Sequence, residues 1–278
     1  MSQPSALSIR QQVSLALSED IGDGDLTVSL VPVDKKVTAR VIAREDAVIA
    51  GLAWVSAVFD ELDANCQVTL ACQDGDSVVS GQLLFTVNGA ARAILTGERT
   101  ALNFLQTLSA VATRTASYVE AVKPIAVNIL DTRKTIPGLR LAEKYAVTCG
   151  GGVNHRIGLF DAILIKENHI NAAGSIAEAM RQAKQLTGEN VEIEVEVESL
   201  QEMSEALESG AKRLLLDNFS LQQLREAVEL NQGRARLEAS GNVSLQTVRQ
   251  IAETGVDDIS IGELTKHIEA VDLSMLFD

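Results

Sequence analysis

The sequence of 278 residues has few of the features that mark secreted or membrane-spanning proteins. It has three cysteines, Cys66, Cys72 and Cys149, without C-x-x-C spacing, which argues against a disulfide framework or a zinc site. The most apolar stretch, residues 47–59, is far shorter than the roughly 20 residues needed to cross a bilayer. Residues 1–30 show no basic start followed by an apolar run, so we expect no signal peptide and a reduced, cytoplasmic setting.

Basic residues are outnumbered, with 24 lysines and arginines against 38 acidic residues and a formal net charge of −14. An acidic chain is poorly suited to nucleic acid, whose binding depends on phosphate neutralisation by lysine and arginine. The chain also lacks the glycine-rich P-loop and dinucleotide fingerprints. Its few cationic clusters therefore indicate a local positive pocket on an acidic body, which suits a small anionic ligand.

The order of predicted elements changes near residue 125. Helices at about 8–19, 54–62 and 94–122 and strands at 37–43, 47–50, 67–72 and 83–87 predict a small α+β layer first. Strands then alternate with amphipathic helices, at 125–130, 162–165, 191–197, 213–216, 236–238 and 258–261. Such alternation is typical of a parallel sheet with right-handed crossovers. Six units are too few for the eight-stranded barrel, which leaves a smaller or irregular barrel or an open sheet.

The sequence indicates where several of the later helices begin. Ser175 with Glu178, Ser199 with Glu202, and Ser220 with Gln223 have the spacing of a capping box. We therefore expect a helix to begin after each of these serines.

Charged residues follow the predicted strands at the point where each strand ends. Ligands of parallel α/β folds bind at the carboxyl ends of the strands, so we expect these residues to meet in one site. The cations would hold carboxylates or phosphates, and arginine grips such groups in bidentate fashion. These cations are Arg133, Lys134, His155, Arg156 and Lys166.

Two other groups complete the predicted site. Glu196 and Asp217 end neighbouring strands, and paired carboxylates beside phosphates are a typical Mg²⁺ arrangement. Ser240, Gly241 and Gly262 precede helices, where backbone N–H groups suit a phosphate.

The third strand of this half places Glu192, Glu194, Glu196 and Glu198 on one face. A strand with one wet face would explain four acids without any function, because four unpaired carboxylates cannot all be buried. Likewise, a single cation at a strand end is usually a solvated loop residue. The nearby cations favour a barrel interior instead, in which the acids meet cations and a metal.

Taken together, these stretches resemble the quinolinate phosphoribosyltransferase family, also called carboxylating nicotinate-nucleotide pyrophosphorylase. The matching stretches cover nearly the whole chain in the right order and are specific as a set. They are residues 19–27, 97–105, 131–140, 150–169, 194–198, 216–218, 237–241 and 259–262. One departure lies at Lys266-His267, where the family often has His-Ser.

The resemblance implies an N-terminal α/β sandwich domain plus an irregular parallel α/β barrel of about six strands. The expected boundaries are residues 1–112 for the sandwich, with the segment 268–278 packing against it, and 113–267 for the barrel. It also implies a homodimer or higher homo-oligomer with shared active sites. From the acidic charge and the short apolar stretches we expect no nucleic-acid partner and no membrane. The implied reaction joins quinolinate to phosphoribosyl pyrophosphate (PRPP) and gives nicotinate mononucleotide, pyrophosphate and CO₂, in de novo NAD biosynthesis.

The resemblance also implies a role for each site residue. Arg133, His155 and Arg156 would bind the quinolinate carboxylates together with Arg99 of a second copy. Lys134 and Lys166 would face both the carboxylates and PRPP. Glu196 and Asp217 would serve Mg²⁺ and the ribose hydroxyls and, with the two lysines, form the catalytic set. Ser240, Gly241 and Gly262 would hold the 5′-phosphate.

Three alternatives remain at this stage. The chain could be a phosphoribosyltransferase of the same fold with another acceptor, such as nicotinate, although several arginines favour a dicarboxylate. It could be a Schiff-base aldolase that uses Lys166 at its strand end. It could also be a regulator that binds the anion without catalysis.

Overall fold

The computed structural model describes residues 3–187 and 191–277 and divides into two compact units. Unit 1 comprises the described residues of 1–116, 135–151 and 264–278, and unit 2 those of 117–134 and 152–263. The sequence prediction assigned 135–151 to the barrel, whereas in the structure this segment groups with unit 1.

The elements of the two units follow one another in chain order. The helices are α1 (Ala6–Ile21), α2 (Leu52–Leu62), α3 (Ala91–Val122), α4 (Arg140–Cys149), α5 (Glu167–Ala173), α6 (Ile176–Thr187), α7 (Leu200–Glu208), α8 (Leu221–Asn231), α9 (Val248–Ala252) and α10 (Glu263–Lys266). The strands are β1 (Lys36–Ala43), β2 (Ala47–Val48), β3 (Gln67–Leu70), β4 (Ser77–Val78), β5 (Leu83–Ala90), β6 (Asn128–Leu130), β7 (Ala162–Ile165), β8 (Glu192–Val197), β9 (Arg213–Asp217), β10 (Arg236–Ser240), β11 (Asp258–Ser260) and β12 (Leu273–Phe277).

Unit 1 is built on an antiparallel sheet of order β12-β1-β5-β3. Ala39, Val41 and Ala43 of β1 are fully buried at every second position, as expected for a strand with one face on a core. The C-terminal strand β12 pairs with β1, with Met275 opposite Val41. This α/β arrangement agrees with the predicted N-terminal domain.

Unit 2 is built on a parallel sheet of order β6-β11-β10-β9-β8-β7, and the predicted core of about six parallel strands is therefore confirmed. The register aligns the strand ends that carry the predicted site. Asp217 pairs with Ser240, Ser240 with Ser260, and Ser260 with Leu130. Side chains from four neighbouring strands thus meet at one level of the sheet.

The predicted helix starts are present. The Ser175 and Ser199 hydroxyls accept the N–H groups of Glu178 and Glu202 at 3.1 and 3.2 Å, and α8 has a full capping box at Ser220. No helix in the described ranges combines the length and the apolar character that a bilayer crossing requires.

Candidate functional site

A cavity of about 420 Å³ lies at the carboxyl ends of the strands of unit 2. Eight of the residues predicted from the sequence line it: Arg133, Lys134, His155, Arg156, Lys166, Glu196, Asp217 and Ser240. The lining also includes Thr132, Leu164, Leu215, Glu238 and Ser260, which the sequence prediction did not include. The strand-end argument therefore brings together residues that are up to about a hundred positions apart.

Two arginines in this cavity lie close enough to influence each other. Burial lowers the pKa of the Arg156 guanidinium, and the neighbouring charge of Arg133 lowers it further. Arg156 also donates from Nη1 to the Ala162 carbonyl at 3.3 Å. Two like charges in one cavity destabilise the empty site, and an anion between them would relieve this repulsion.

Lysine and acid side chains also line the cavity. Lys166 donates to the Glu196 carboxylate in an ion pair. Burial raises the pKa of Asp217, and the nearby charge of Glu196 raises it further, while Lys166 and Lys134 oppose the rise. Two carboxylates that repel each other beside two lysines could bind a divalent cation, hydroxyl groups or both.

The two glycines predicted near the phosphate, Gly241 and Gly262, lie beside the cavity. Because they have no side chain, neighbouring groups can lie close to the backbone there. Gly241 follows β10 at φ +99°, and a Cβ there would lie 2.1 Å from Asn218 Oδ1. A Cβ at Gly262 would lie 2.9 Å from Lys134 Cδ. A larger side chain at either position would clash with or displace a neighbour at the strand ends.

The four acidic residues in and just after β8 differ in their exposure to solvent. Glu192 and Glu198 are exposed, Glu196 is half-buried, and Glu194 is 3% exposed. Glu194 accepts hydrogen bonds from Arg213 Nε at 2.9 Å and from His155 Nε2 at 2.8 Å. Glu194 and Glu196 therefore pair with cationic side chains, as the barrel-interior interpretation predicted. Glu192 and Glu198 are exposed to solvent instead.

The loop that carries His155 is anchored by a buried carboxylate. Asp131 is fully buried, and it accepts the backbone N–H of His155 at 2.9 Å and an N–H of the Asn154 side chain. Asp131 therefore anchors the loop that carries His155.

The imidazole of His155 lies between two buried acids. Burial lowers the pKa of His155, but its hydrogen bonds to Glu194 and Glu238 and their charges prevail and raise the pKa to about 9. The backbone N–H of Arg156 opposes this rise, because it donates to Nδ1 at 2.7 Å, and Nδ1 can accept only without a proton. In both protonation states Nε2 carries a proton and donates to the acids.

His155, Glu194 and Glu238 are also the one cluster of three possible metal ligands among the described residues. Their ligand atoms lie within 4.8 Å of one another. Arg213 donates to both carboxylates, however, so the protein already supplies the positive charge there. The predicted metal residues Glu196 and Asp217 lie outside this cluster.

Arg99 is the one predicted site residue outside unit 2. It lies on α3 in unit 1, where its side chain is exposed. Unit 1 has its own cavity of about 290 Å³ beside α1 and α3, and the charged residues lining it are Glu19 and Asp20. That acidic cavity does not suit an anion.

Arg213 and Glu194 do not line the cavity but bond to Glu238 and His155, which do, and the sequence analysis gave neither of them a named role in the site. Arg213 begins β9 and pairs in register with Glu194 of β8. The sequence did indicate charged residues at inward-facing positions of these strands. It could not show which of them pair, because pairing depends on the register between strands, which local patterns do not reveal.

The sequence matches two family models along its length. Residues 25–109 match the N-terminal domain of quinolinate phosphoribosyl transferase, and residues 111–276 match its C-terminal domain.

Individual proteins are similar over almost the whole chain. A probable nicotinate-nucleotide pyrophosphorylase [carboxylating] of Bacillus subtilis is 40% identical, over 97% of this chain and 93% of its own. A quinolinate phosphoribosyltransferase [decarboxylating] of Nicotiana tabacum is 42% identical, over 96% of this chain and 81% of its own. The solved nicotinate-nucleotide pyrophosphorylase of Francisella tularensis superposes with a TM-score of 0.95 at 45% identity, covering 99% of this chain and 98% of that one. With the domain matches, the fold and the cationic cavity in agreement, the chain belongs to the quinolinate phosphoribosyltransferase family.

Proposed function

We propose that this protein transfers the phosphoribosyl group of PRPP to quinolinate and releases pyrophosphate and CO₂, leaving nicotinate mononucleotide. The observation that carries the proposal is the pair of neighbouring guanidinium groups, Arg133 and Arg156, beside lysines and carboxylates in one cavity. Family membership supplies the reaction, and the cavity supplies a matching distribution of charge.

The arginine side of the cavity suits the acceptor. Quinolinate has two adjacent carboxylates, and each can take a bidentate guanidinium. Arg133 and Arg156 would each bind one, and the ligand would offset their mutual repulsion. A monocarboxylate such as nicotinate would leave one arginine without its anion, so the pair favours a diacid.

The lysine side suits the donor. Lys134 and Lys166 would neutralise the pyrophosphate of PRPP, and Glu196 and Asp217 would accept hydrogen bonds from the ribose hydroxyls. Ser240, with the backbone near Gly241 and Gly262, would hold the 5′-phosphate. Glycine at these two positions leaves room for the phosphate to approach the backbone, whereas a Cβ would crowd neighbouring side chains.

Mg²⁺ fits the acidic pair by donor chemistry. Glu196 and Asp217 offer hard oxygen ligands from neighbouring strands, and the raised pKa of Asp217 reflects burial and repulsion from Glu196 that a divalent ion would reduce. Two protein carboxylates with substrate phosphates as further ligands are a common Mg²⁺ arrangement. When bound, the ion would supply positive charge to the leaving pyrophosphate.

The side chains can then act by positioning and by electrostatics. Clamping both carboxylates holds the quinolinate nitrogen in line with the anomeric carbon. Lys134 and Lys166 stabilise the negative charge that develops on the departing pyrophosphate. Once the nitrogen is ribosylated, the cationic ring stabilises the electron pair left on the adjacent carbon as CO₂ departs, and a proton from water then bonds to that carbon. No side chain needs to attack the substrate covalently.

The proposal includes a second copy of the chain. Arg99 is exposed on α3, and it would add a third guanidinium to the acceptor side of a partner's cavity. The assembly would be a homodimer or a higher homo-oligomer with shared sites.

The proposal is tested by measuring pyrophosphate release from PRPP and Mg²⁺ with quinolinate, with nicotinate or without an acceptor. We expect release with quinolinate only. Equal pyrophosphate release with nicotinate would contradict the proposal that the acceptor is quinolinate. Quinolinate binding without any release would leave an anion-binding regulator, and borohydride trapping of a carbonyl compound on Lys166 would indicate an aldolase.

A further inference from the structure

The backbone of Lys166, one of the cavity lysines, is held by His169. Lys166 follows the last residue of β7 and precedes α5. Its N–H donates to Nδ1 of the His169 ring at 3.0 Å, and its carbonyl accepts the His169 N–H at 2.8 Å. Both backbone polar groups of Lys166 therefore bond to His169.

The start of α5 explains why an acceptor is needed at this point. Lys166 is the N-cap residue of α5 at φ −119° and ψ 167°, and its ammonium, which only donates, cannot accept the N–H groups of a helix start. The other half of a capping box is an acceptor at the third helical position, which binds the N–H of the N-cap residue. His169 stands at that position, and its neutral ring, with the proton on Nε2, supplies the acceptor.

Helix α5 has little buried surface to fix its start. It has seven residues, and each of them is exposed or half-buried. A helix this short is not stable by itself in water, and a buried apolar face usually holds such a helix in place. The hydrogen bonds at its start therefore contribute more here than at a helix with a buried face.

The backbone position of Lys166 matters because its ammonium lies in the cavity. Lys166 Nζ pairs with Glu196, and both side chains line the cavity. The Lys166 side chain is 44% exposed, so its direction depends on the backbone from which it extends more than on side chains packed around it. The His169 ring is exposed and is not among the residues that line the cavity.

We propose that His169 is a positioning residue that holds the backbone of Lys166, so that the lysine ammonium meets the pyrophosphate of PRPP. The identity of that ligand rests on the proposed function. The role of His169 rests on the two hydrogen bonds that join it to Lys166.

Two substitutions of His169 test the acceptor. Pyrophosphate release is measured at about pH 8, where an exposed imidazole is neutral. His169→Ala removes the acceptor, and we expect kcat/KM for PRPP to fall about tenfold. His169→Gln restores an acceptor that is common at this position of a capping box, and we expect it to stay within about twofold of wild type. A glutamine variant as impaired as alanine, or an unimpaired alanine variant, would overturn the proposal.

The same kind of bond in another helix provides the matched control. Gln223 Oε1 accepts the N–H of Ser220, the N-cap residue of α8, at 2.9 Å, and neither residue lines the cavity. We expect Gln223→Ala and His169→Ala to lower the urea midpoint to a similar extent, whereas only His169→Ala loses activity. An equal loss of activity in both variants would reduce the effect of His169 to stability and contradict a positioning role.

A double-mutant cycle separates positioning from direct contact. PRPP binding with Mg²⁺ is measured by calorimetry on full-length His169→Ala, Lys166→Ala and the double variant. We expect the double variant to bind no more weakly than Lys166→Ala, because residues that act through one another are not additive. Losses that multiply would show that His169 contacts PRPP directly and would exclude the proposed role.

The failure of this inference is distinct from failure of the proposed function. A wild-type protein that releases no pyrophosphate from PRPP and quinolinate defeats the function. A wild-type protein that releases it, together with an unimpaired His169→Ala variant, defeats only the positioning role of His169.

Discussion

Replacing Arg156 with alanine should abolish tight quinolinate binding while leaving the empty protein nearly as stable as before. In the empty cavity Arg156 is partly buried beside Arg133, and both conditions disfavour its charge. Its loss removes that repulsion, but it also removes the attraction of nearby acids (Glu194, Asp161 and Glu196) and one long hydrogen bond to the Ala162 carbonyl. These effects oppose each other, so we expect the free energy of unfolding to change by less than about 1 kcal/mol.

With quinolinate present the balance reverses. Truncating one partner of a desolvated charge pair costs about 2–5 kcal/mol, and relief of the Arg133 repulsion brings the net loss to about 2–3 kcal/mol. That loss corresponds to about a 30- to 150-fold higher Kd. At a quinolinate concentration of about 100 times the wild-type Kd, ligand stabilisation should fall from about 2.7 kcal/mol to about 0.4 kcal/mol for a 100-fold loss.

The assay is urea unfolding with and without quinolinate, supported by calorimetric titration. Arg249→Ala is the matched control, because it removes an exposed guanidinium of unit 2 that pairs with Glu253 at 3.2 Å and does not line the cavity. We expect this control to keep its ligand stabilisation. Undiminished stabilisation in Arg156→Ala, or an equal loss in the control, would refute the assignment of Arg156 to the acceptor site.

Three further predictions concern other parts of the chain. Glu196→Gln and Asp217→Asn should each weaken Mg²⁺-dependent PRPP binding at least about tenfold and leave quinolinate binding within about twofold; equal weakening of both ligands in calorimetry would contradict the division of the cavity. Arg99→Ala mixed with Lys166→Ala should recover up to about a quarter of wild-type activity through hybrid dimers, and no recovery despite proven subunit exchange would contradict a shared site. Burial, opposed by the Ile136 N–H and by Arg140, raises the pKa of Glu143 to about 7, so the folded state holds this proton more tightly and stability should fall as the pH rises toward 7. Glu143→Gln should therefore gain about 2 kcal/mol over wild type in urea unfolding between pH 5 and pH 8, and a gain that does not depend on pH would exclude this titration.

The strand-end residues could be predicted because their signal is local. A buried apolar run such as Ala162–Ile165 predicts a strand, and the residue after it, Lys166, must then lie at the carboxyl edge of a parallel sheet. The same reasoning placed Asp217 and Ser240 near each other before their register was known.

The buried ion pairs of Arg213 with Glu194 and Glu238 could not be found in this way. Arg213 stands at the start of its strand, and nothing near it in the chain indicates that it joins Glu194 and Glu238. That contact depends on the order of β8, β9 and β10 in the sheet, which local periodicity does not determine.

Two elements of unit 1 were also missed for lack of a local signal. The short strand β12 pairs with β1 more than two hundred residues earlier, and a five-residue apolar run near the end of a chain does not reveal such a partner. Helix α4 was not predicted, and its start at Arg140 has no side-chain cap that would mark it in the sequence.

The central claim is that one cavity binds a diacid ring and joins it to a phosphoribosyl group, after which the ring loses CO₂. Quinolinate labelled in the carboxylate next to the ring nitrogen, mixed with PRPP, Mg²⁺ and the protein, tests this directly. We predict that labelled CO₂ and pyrophosphate appear in equal amounts and that neither forms when any component is omitted. Pyrophosphate without labelled CO₂, or labelled CO₂ without PRPP, would contradict the account.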